Sequence, residues 1–167
     1  LRDGSIVFDN VSFIYPGSNE KTLKNISFKI DSGETLGIIG STGSSKTTLV
    51  QLIPRLYDVT EWAVYVGGED GRNYDIKALR DQVAFVLQKN TLFSGTIREN
   101  MKWGNENATD DEIITALKHA QAWEFVSKYK EGLDHRVEQG GDNFSGGQKQ
   151  RLTIARALLK YPKILIL

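Results

Sequence analysis

An α/β fold is predicted by three observations. Short apolar runs alternate with helical patterns, one run passes through a loop of small residues straight into a helix, and a long helical stretch interrupts the alternation. Residues 5–15 are rich in β-branched and aromatic side chains and end at Pro16-Gly17-Ser18-Asn19, so they read as a strand closed by turn residues. Leu23–Ile30 alternates through Ile26, Phe28 and Ile30, and Asp31-Ser32-Gly33 turns the chain into a further expected strand at 35–39. Residues 40–53 change from small loop formers to a helix carrying Leu49, Leu52, Ile53 and Leu56 on one face.

Val64-Tyr65-Val66 before Gly67-Gly68 predicts a short strand and turn, and residues 82–88 predict a buried strand. From Thr96 to about Tyr129 the pattern is helical. Thr109 and Glu112 form a capping box ahead of Ile113, Ile114, Leu117 and Ala120. Ser145 and Gln148 repeat that spacing before the stripe Leu152, Ala155, Leu158 and Leu159, and residues 164–167 read as a buried strand after Pro162. One domain over 1–167 is expected, with residues from about 96 to 150 as a helical insertion. The last strand stops without a turn or tail, so the domain is expected to be incomplete at its C-terminus.

Composition excludes several functions. Lys plus Arg and Asp plus Glu each total 21, a formal net charge of zero that argues against a phosphate-coating nucleic-acid binder. There is no cysteine, hence no disulfide framework or thiolate metal site, and His119 and His135 alone offer little to zinc. No apolar run approaches the roughly 18 residues that cross a bilayer, and the first five residues lack a signal-peptide apolar region.

Chemistry concentrates at two helix starts. A loop between strand and helix aims backbone N–H groups and the positive helix end at one point, which suits polyphosphate. Gly40, Lys46 and Thr47 match the spacing of a phosphate-binding loop, with a mobile cation and then a hydroxyl able to ligate Mg²⁺. Ser45 stands where that pattern wants glycine, and a Cβ there either crowds the phosphates or restricts φ. Taken alone, the stretch also has a plainer reading, a Ser/Gly-rich turn capping a helix. The second start, Phe144-Ser145-Gly146-Gly147-Gln148, is again built from small residues suited to an anion.

Together these parts make the sequence resemble the nucleotide-binding domain of ATP-binding cassette transporters, from about Ile6 to Leu167. The matching parts follow family order: an aromatic A-loop at Tyr15, Walker A at 40–47, a Q-loop at Gln88, an X-loop-like Glu138, the signature at 144–148, and the start of Walker B at 164–167. Residues 92–100 and 143–151 are similar to bacterial exporters of the multidrug and lipid type rather than to importers.

The resemblance implies ATP and Mg²⁺ as cofactors and an ATPase whose fold is a P-loop NTPase core, a mainly parallel sheet with flanking helices. An N-terminal antiparallel β-layer and a helical subdomain complete it. Tyr15 would stack on adenine, and Gly40, Ser41, Thr42, Gly43, Ser44, Ser45, Lys46, Thr47 and Thr48 would hold the phosphates. Thr47 and Gln88 would meet Mg²⁺, with Gln88 also reaching the attacking water as the catalytic residue. Ser145, Gly146, Gly147 and Gln148 would face the γ-phosphate held by a partner domain.

The implied partners are a second nucleotide-binding domain, in a homo- or heterodimer, and the coupling helices of a transmembrane domain. Phe93, Trp103 and Trp123 would lie near those helices, and core packing is the other reading of these aromatics. The implied place is the cytoplasmic face of a bacterial inner membrane, where closure around ATP drives export. The alternative is a degenerate, ATP-binding but poorly hydrolysing half of a heterodimer. A DNA-acting relative fits badly, because the interval from Gln88 to Ser145 holds no long coiled coil. Arg151 and Arg156 read as surface or structural charges, and Trp62 departs from the family's usual glycine. The Walker B aspartate and the glutamate after it would follow Leu167, so the chain as given is expected to show no turnover.

Overall fold

Alternating apolar residues place β1 (Ile6–Phe13) inside a four-stranded sheet. It pairs antiparallel with β2 (Leu23–Ile30) on one side and β3 (Glu61–Val66) on the other, and β4 (Glu69–Asp70) extends β3 through the Gly67-Gly68 turn. The computed structural model describes residues 1–86, 89 and 91–167, and the chain forms two compact units, Leu1–Val83 and Ala84–Leu167. In the first unit Ile6, Phe8, Val11 and Phe13 are buried, and Phe8 stacks on Phe28 with ring centroids 4.5 Å apart.

The sheet is bent by bulges. Asn10 (φ 48°) and Asn25 (φ 49°) take the left-handed conformation that asparagine tolerates best among non-glycine residues. Their displaced groups find side-chain partners: the Ser27 hydroxyl accepts from Asn10 N, the Ser12 hydroxyl accepts from Asn25 N, and Asn25 Nδ2 donates to Asn10 Oδ1. Across from β1, the register of β3 slips between Asp9 and Ser12, and Trp62 sits in the slip at φ 63° with 62% of its surface exposed. A bulky residue is costly there, which accounts physically for a glycine preference at this position.

The expected strand at 35–39 does not form. Residues 35–40 carry no strand, and Leu36, Ile38 and Ile39 are 48%, 38% and 98% exposed. β-propensity alone does not make a strand without a neighbour to share its hydrogen bonds, and among the described residues this segment has none. The helix that follows, α1 (Lys46–Gln51), is shorter than its apolar stripe suggests. Leu52 and Ile53 are buried beyond its end while Leu56 is 45% exposed, because Arg55 at φ 52° turns the chain away.

Arg55 also clips this segment down. Its Nε and Nη2 donate to Asp58 at 2.7 and 3.1 Å, and its Nη1 donates to the Gly71 carbonyl at 3.3 Å. Gly71 lies between β4 and α2 (Ile76–Asp81), whose Asp75 cap accepts from Ala78 N. From α2, Arg80 reaches back to the carbonyls of Pro54 and Arg55.

β5 (Val83–Phe85) opens at the last residue of the first unit and pairs with β8 (Ile164–Ile166), where Val86 N donates to the Ile166 carbonyl. Gln88 lies outside the described residues. A short ribbon joins β6 (Gly95–Thr96) to β7 (Arg136–Val137). Four helices, α3 (Ile97–Lys102), α4 (Asp110–His119), α5 (Trp123–Val126) and α6 (Gly146–Leu158), enclose a core that includes Ile97, Met101, Ile113, Leu117, Leu152 and Leu159. Arg98 on α3 pairs with both Asp110 and Asp134 and so joins three segments around that core.

Two outcomes test this account. Trp62→Gly removes a left-handed cost of roughly 1–2 kcal/mol, offset in part by the freer unfolded chain. Thermal unfolding should therefore shift upward by a few degrees, and a lower midpoint would show that the indole holds the sheet edge. Separately, the Arg55 hydrogen bond holds the Asp58 carboxyl below its ordinary value of 3.8. A depressed folded pKa contributes stability above the unfolded value and loses it as pH falls through the folded one. Asp58→Asn should accordingly be less stable at pH 7, by under about 1 kcal/mol for a pair this exposed, and the difference should shrink as pH falls below about 4 and vanish only below the folded pKa.

Candidate functional site

The phosphate-loop sequence folds as an exposed turn leading into α1. Gly43 takes φ 82°, and Ser45, the residue before the helix, takes φ 66°, ψ 18°. The glycine-like backbone demanded at Ser45 is thus adopted by a serine. At Gly40 a Cβ would press on the Ser44 side chain, so a larger residue there would have to push the serine aside. Lys46 folds its ammonium over the loop, donating to the carbonyls of Gly40 at 2.6 Å and Ser41 at 2.9 Å and to Ser44 Oγ at 3.1 Å.

Ser45 makes no side-chain cap on α1, so the first N–H groups of that helix keep their donor capacity. Thr47 is exposed, and its hydroxyl has no hydrogen-bond partner among the described residues. Ser41, Thr42 and Ser44 are exposed as well. The set therefore fits a triphosphate and a hard cation: backbone donors, one mobile ammonium and a free hydroxyl, with no carboxylate among residues 40–48 to repel the anion.

Tyr15 meets this loop from the sheet. Its hydroxyl lies 2.7 Å from Thr48 Oγ1, and its ring packs edge-on against Phe13 and Tyr57 at 4.8 and 5.2 Å. Thr48 is buried and Tyr15 only half-buried, so one face of the aromatic group is fixed while part of it stays open to solvent.

In the second unit Ser145 caps α6 in a complete box: its hydroxyl accepts from Gln148 N at 3.2 Å, and Gln148 Oε1 accepts from Ser145 N at 3.0 Å. Ser145, Gly146 and Gly147 are exposed, and a Cβ on either glycine would touch nothing within 4 Å. This unit does not need those glycines for its own packing. Upstream, the Asn143 side chain accepts from Glu138 N and donates to the Arg136 carbonyl, which holds the exposed Glu138 beside the turn at Gly140 and Gly141.

The comparisons decide the family. A model described as ABC transporter matches residues 23–167. The chain belongs to the ABC transporter family. YgaD of Bacillus subtilis strain 168, which carries the name of a multidrug export ATP-binding/permease protein, is 49% identical over 98% of the chain and 28% of its own length. A Staphylococcus aureus (strain NCTC 8325) protein, SAOUHSC_02003, of the same description is 42% identical over the whole chain and 29% of its own length. A bacterial ABC exporter of the Atm1 family, solved with ATP bound, superposes with a TM-score of 0.88 at 35% identity, over 98% of this chain and 29% of that one. The chain thus spans under a third of the length of these relatives. The mixed α/β fold with its N-terminal antiparallel sheet is that of this family's ATP-binding domain, which is of the ATPase type.

Two side chains, Asn100 and Arg156, hold positions that the sequence reading of this ABC domain did not give. Asn100 is buried on α3 and clips Phe93 at both ends, accepting from its N–H and donating to its carbonyl, each at 2.8 Å. Trp123 packs against the helical core, whereas Phe93 and Trp103 stay exposed with ring centroids 5.0 Å apart. Arg156, read as a surface or structural charge, is half-buried, and its Nη1 is buried with no hydrogen-bond partner among the described residues. The signal was present, since Arg156 adjoins Ala155 and follows Leu152 by four residues on the packed side of α6.

Because Ser45 is already left-handed in the folded loop, its backbone cost of roughly 1–2 kcal/mol falls on folding rather than on binding. Ser45→Gly should raise the unfolding midpoint by a few degrees, read by calorimetry. Its ATP affinity should change only by whatever crowding the Cβ causes. A lower midpoint together with weaker binding would show that the hydroxyl itself carries the loop.

Proposed function

We propose that the chain is the ATP-binding and hydrolysing motor domain of an ABC exporter, dimerising around ATP to drive substrate export across a bacterial membrane from its cytoplasmic face. The observation that carries this reading is the 2.7 Å contact between Tyr15 and Thr48, which seats an aromatic ring against the loop holding Lys46 and Thr47. A ring and a polyphosphate cradle on one unit are what a nucleoside triphosphate requires.

In this reading Gly40, Ser41, Thr42, Gly43, Ser44 and Ser45 wrap the phosphates with backbone donors, while Lys46 exchanges its loop carbonyls for phosphate oxygens. Thr47 ligates Mg²⁺, Thr48 ties the loop to Tyr15, and Tyr15 stacks on the base. Bound Mg²⁺ would neutralise developing charge on the phosphates. Gln88 joins the metal and orients water. The open start of α6 at Ser145, Gly146, Gly147 and Gln148 meets the nucleotide of a second such domain, whose close approach explains two glycines that this chain does not itself need. The permease portion implied by the relatives' names contacts the second unit, where Phe93 and Trp103 are exposed.

Ser45 favours one second reading, a nucleotide-binding half that hydrolyses poorly, because its Cβ stands where the loop approaches the phosphates. Turnover per bound nucleotide in the full-length protein, with and without Ser45→Gly, separates the two.

ATP binding by the full-length protein, followed by calorimetry, tests the main reading. Lys46→Ala should abolish it. Tyr15→Ala should weaken it roughly three- to tenfold, as expected for loss of an aromatic stack, while Tyr15→Phe should retain most of the affinity. Equal losses in both Tyr15 variants would reduce the ring to a packing element, and binding undisturbed by Lys46→Ala would refute the site.

A further inference from the structure

Arg151, in the second turn of α6, spends its bonds on another part of the second unit. Its Nη1 donates to the Gln121 carbonyl at 3.1 Å, and its guanidinium lies 5.5 Å from the centre of the Phe125 ring. Its Nε donates back to the Gly147 carbonyl at 3.4 Å. Gln121 takes φ 58° just past α4, so its carbonyl stands at the negative end of that helix. A cation this near the start of α6 works against the dipole of its own helix, and no acid in the first turn offsets it. The placement therefore answers to something outside α6.

What it answers to is the other end of the same turn. Phe125 on α5 also packs against Phe144, with ring centroids 6.4 Å apart, and Phe144 is buried directly before Ser145. One ring thus receives both the residue that precedes the exposed Ser145-Gly146-Gly147 turn and the arginine that follows it. Tyr129 and His135 back Phe144 at 6.3 and 6.0 Å. The capping box cannot do this work, because both of its bonds run between Ser145 and Gln148 and fix the start of α6 only to itself. Gly146 and Gly147 have no side chains to anchor, so the aim of their N–H groups is set by Phe144 on one side and Arg151 on the other.

We propose that Arg151 is a positioning residue for ATP turnover: its hold on the Gln121 carbonyl and the Phe125 ring aims the donors of Ser145, Gly146 and Gly147 at the nucleotide of a second domain. The inference rests on the exporter reading and adds a residue that acts through others. A guanidinium suits the task, since its flat face lies on a ring while its edge donates sideways to a carbonyl. The phosphate cradle, residues 40–48, belongs to the first unit. Arg151 can therefore govern turnover without governing how ATP is first bound.

The test uses the full-length protein, with the ATP Kd read by calorimetry in the absence of Mg²⁺ and kcat read in its presence. Arg151→Gln should lower kcat about fivefold or more while Kd stays within about twofold and the unfolding midpoint holds. Phe125→Leu, which keeps an apolar side chain and removes the aromatic face, should lower kcat roughly two- to threefold at unchanged Kd. Combining the two should cost less than the product of the single effects, because both break one contact. A merely structural arginine would instead lower the midpoint and the fraction of protein that binds ATP, with kcat per bound nucleotide unchanged. That result overturns the proposal, as does wild-type kcat in folded Arg151→Gln. Should Arg151→Gln not fold, Phe125→Leu decides, and wild-type kcat in that variant overturns the proposal. Each of these leaves the exporter reading standing, whereas failure of the unsubstituted protein to bind ATP removes both.

Discussion

Positive φ at residues other than glycine is the constraint on which the first unit depends. Asn10, Asn25, Ser45, Arg55 and Trp62 all hold it, and each marks a place where the chain must change direction within a residue. An L-residue in this region costs roughly 1–2 kcal/mol, so each must be held by something. Asn10 and Asn25 hold each other through a side-chain bond and borrow serine hydroxyls for their displaced N–H groups. Arg55 is held by two hydrogen bonds donated to Asp58 and by one donated to the Gly71 carbonyl. Ser45 is held by the loop that Lys46 closes over it. The bends flank the site: Tyr15, just past the end of β1, reaches Thr48, and Arg55 ends the segment that α1 begins.

What was legible in the sequence was legible for local reasons. Leu23–Ile30 alternates, and β2 has those same bounds. The Thr109/Glu112 and Ser145/Gln148 spacings are reciprocal hydrogen bonds written into four residues, and both are formed. The same logic covers the Thr96/Glu99 box of α3 and the Asp75 cap of α2, which went unread because the helices behind them are six residues long and show little periodicity. The strand expected at 35–39 failed for the opposite reason. Its residues have the right propensity, but a strand is a property of pairs, and no sequence window contains the partner.

The site divides along the same line. The phosphate loop and the signature were visible as residue types at fixed spacing. Arg156 and Asn100 were not, because their importance comes from neighbours distant in sequence: Phe93 and Gly104 for the first, both ends of Phe93 for the second. A buried polar group without a local partner carries no signature in sequence beyond a charge on an apolar helix face.

The two helix starts differ in a way that bears on what each can do. α1 has no side-chain cap, so its first N–H groups remain available to an anion along with the dipole of the helix. α6 is fully capped, and the Ser145 hydroxyl is already engaged as an acceptor from Gln148 N. That engagement does not exhaust it. A serine hydroxyl has one proton to donate besides its lone pairs, and accepting from Gln148 fixes the oxygen so that the proton can turn outward. The Gln148 side chain holds Ser145 N from the other side, which leaves the hydroxyl proton and the N–H groups of Gly146 and Gly147 as the donors facing solvent. α1 therefore presents uncapped N–H groups beside an ammonium engaged by its own loop, whereas α6 presents donors around a closed capping box. In the proposed reading, the phosphates would thus be wrapped at α1 of one domain and met at α6 of a second, with different donors left open by the two caps.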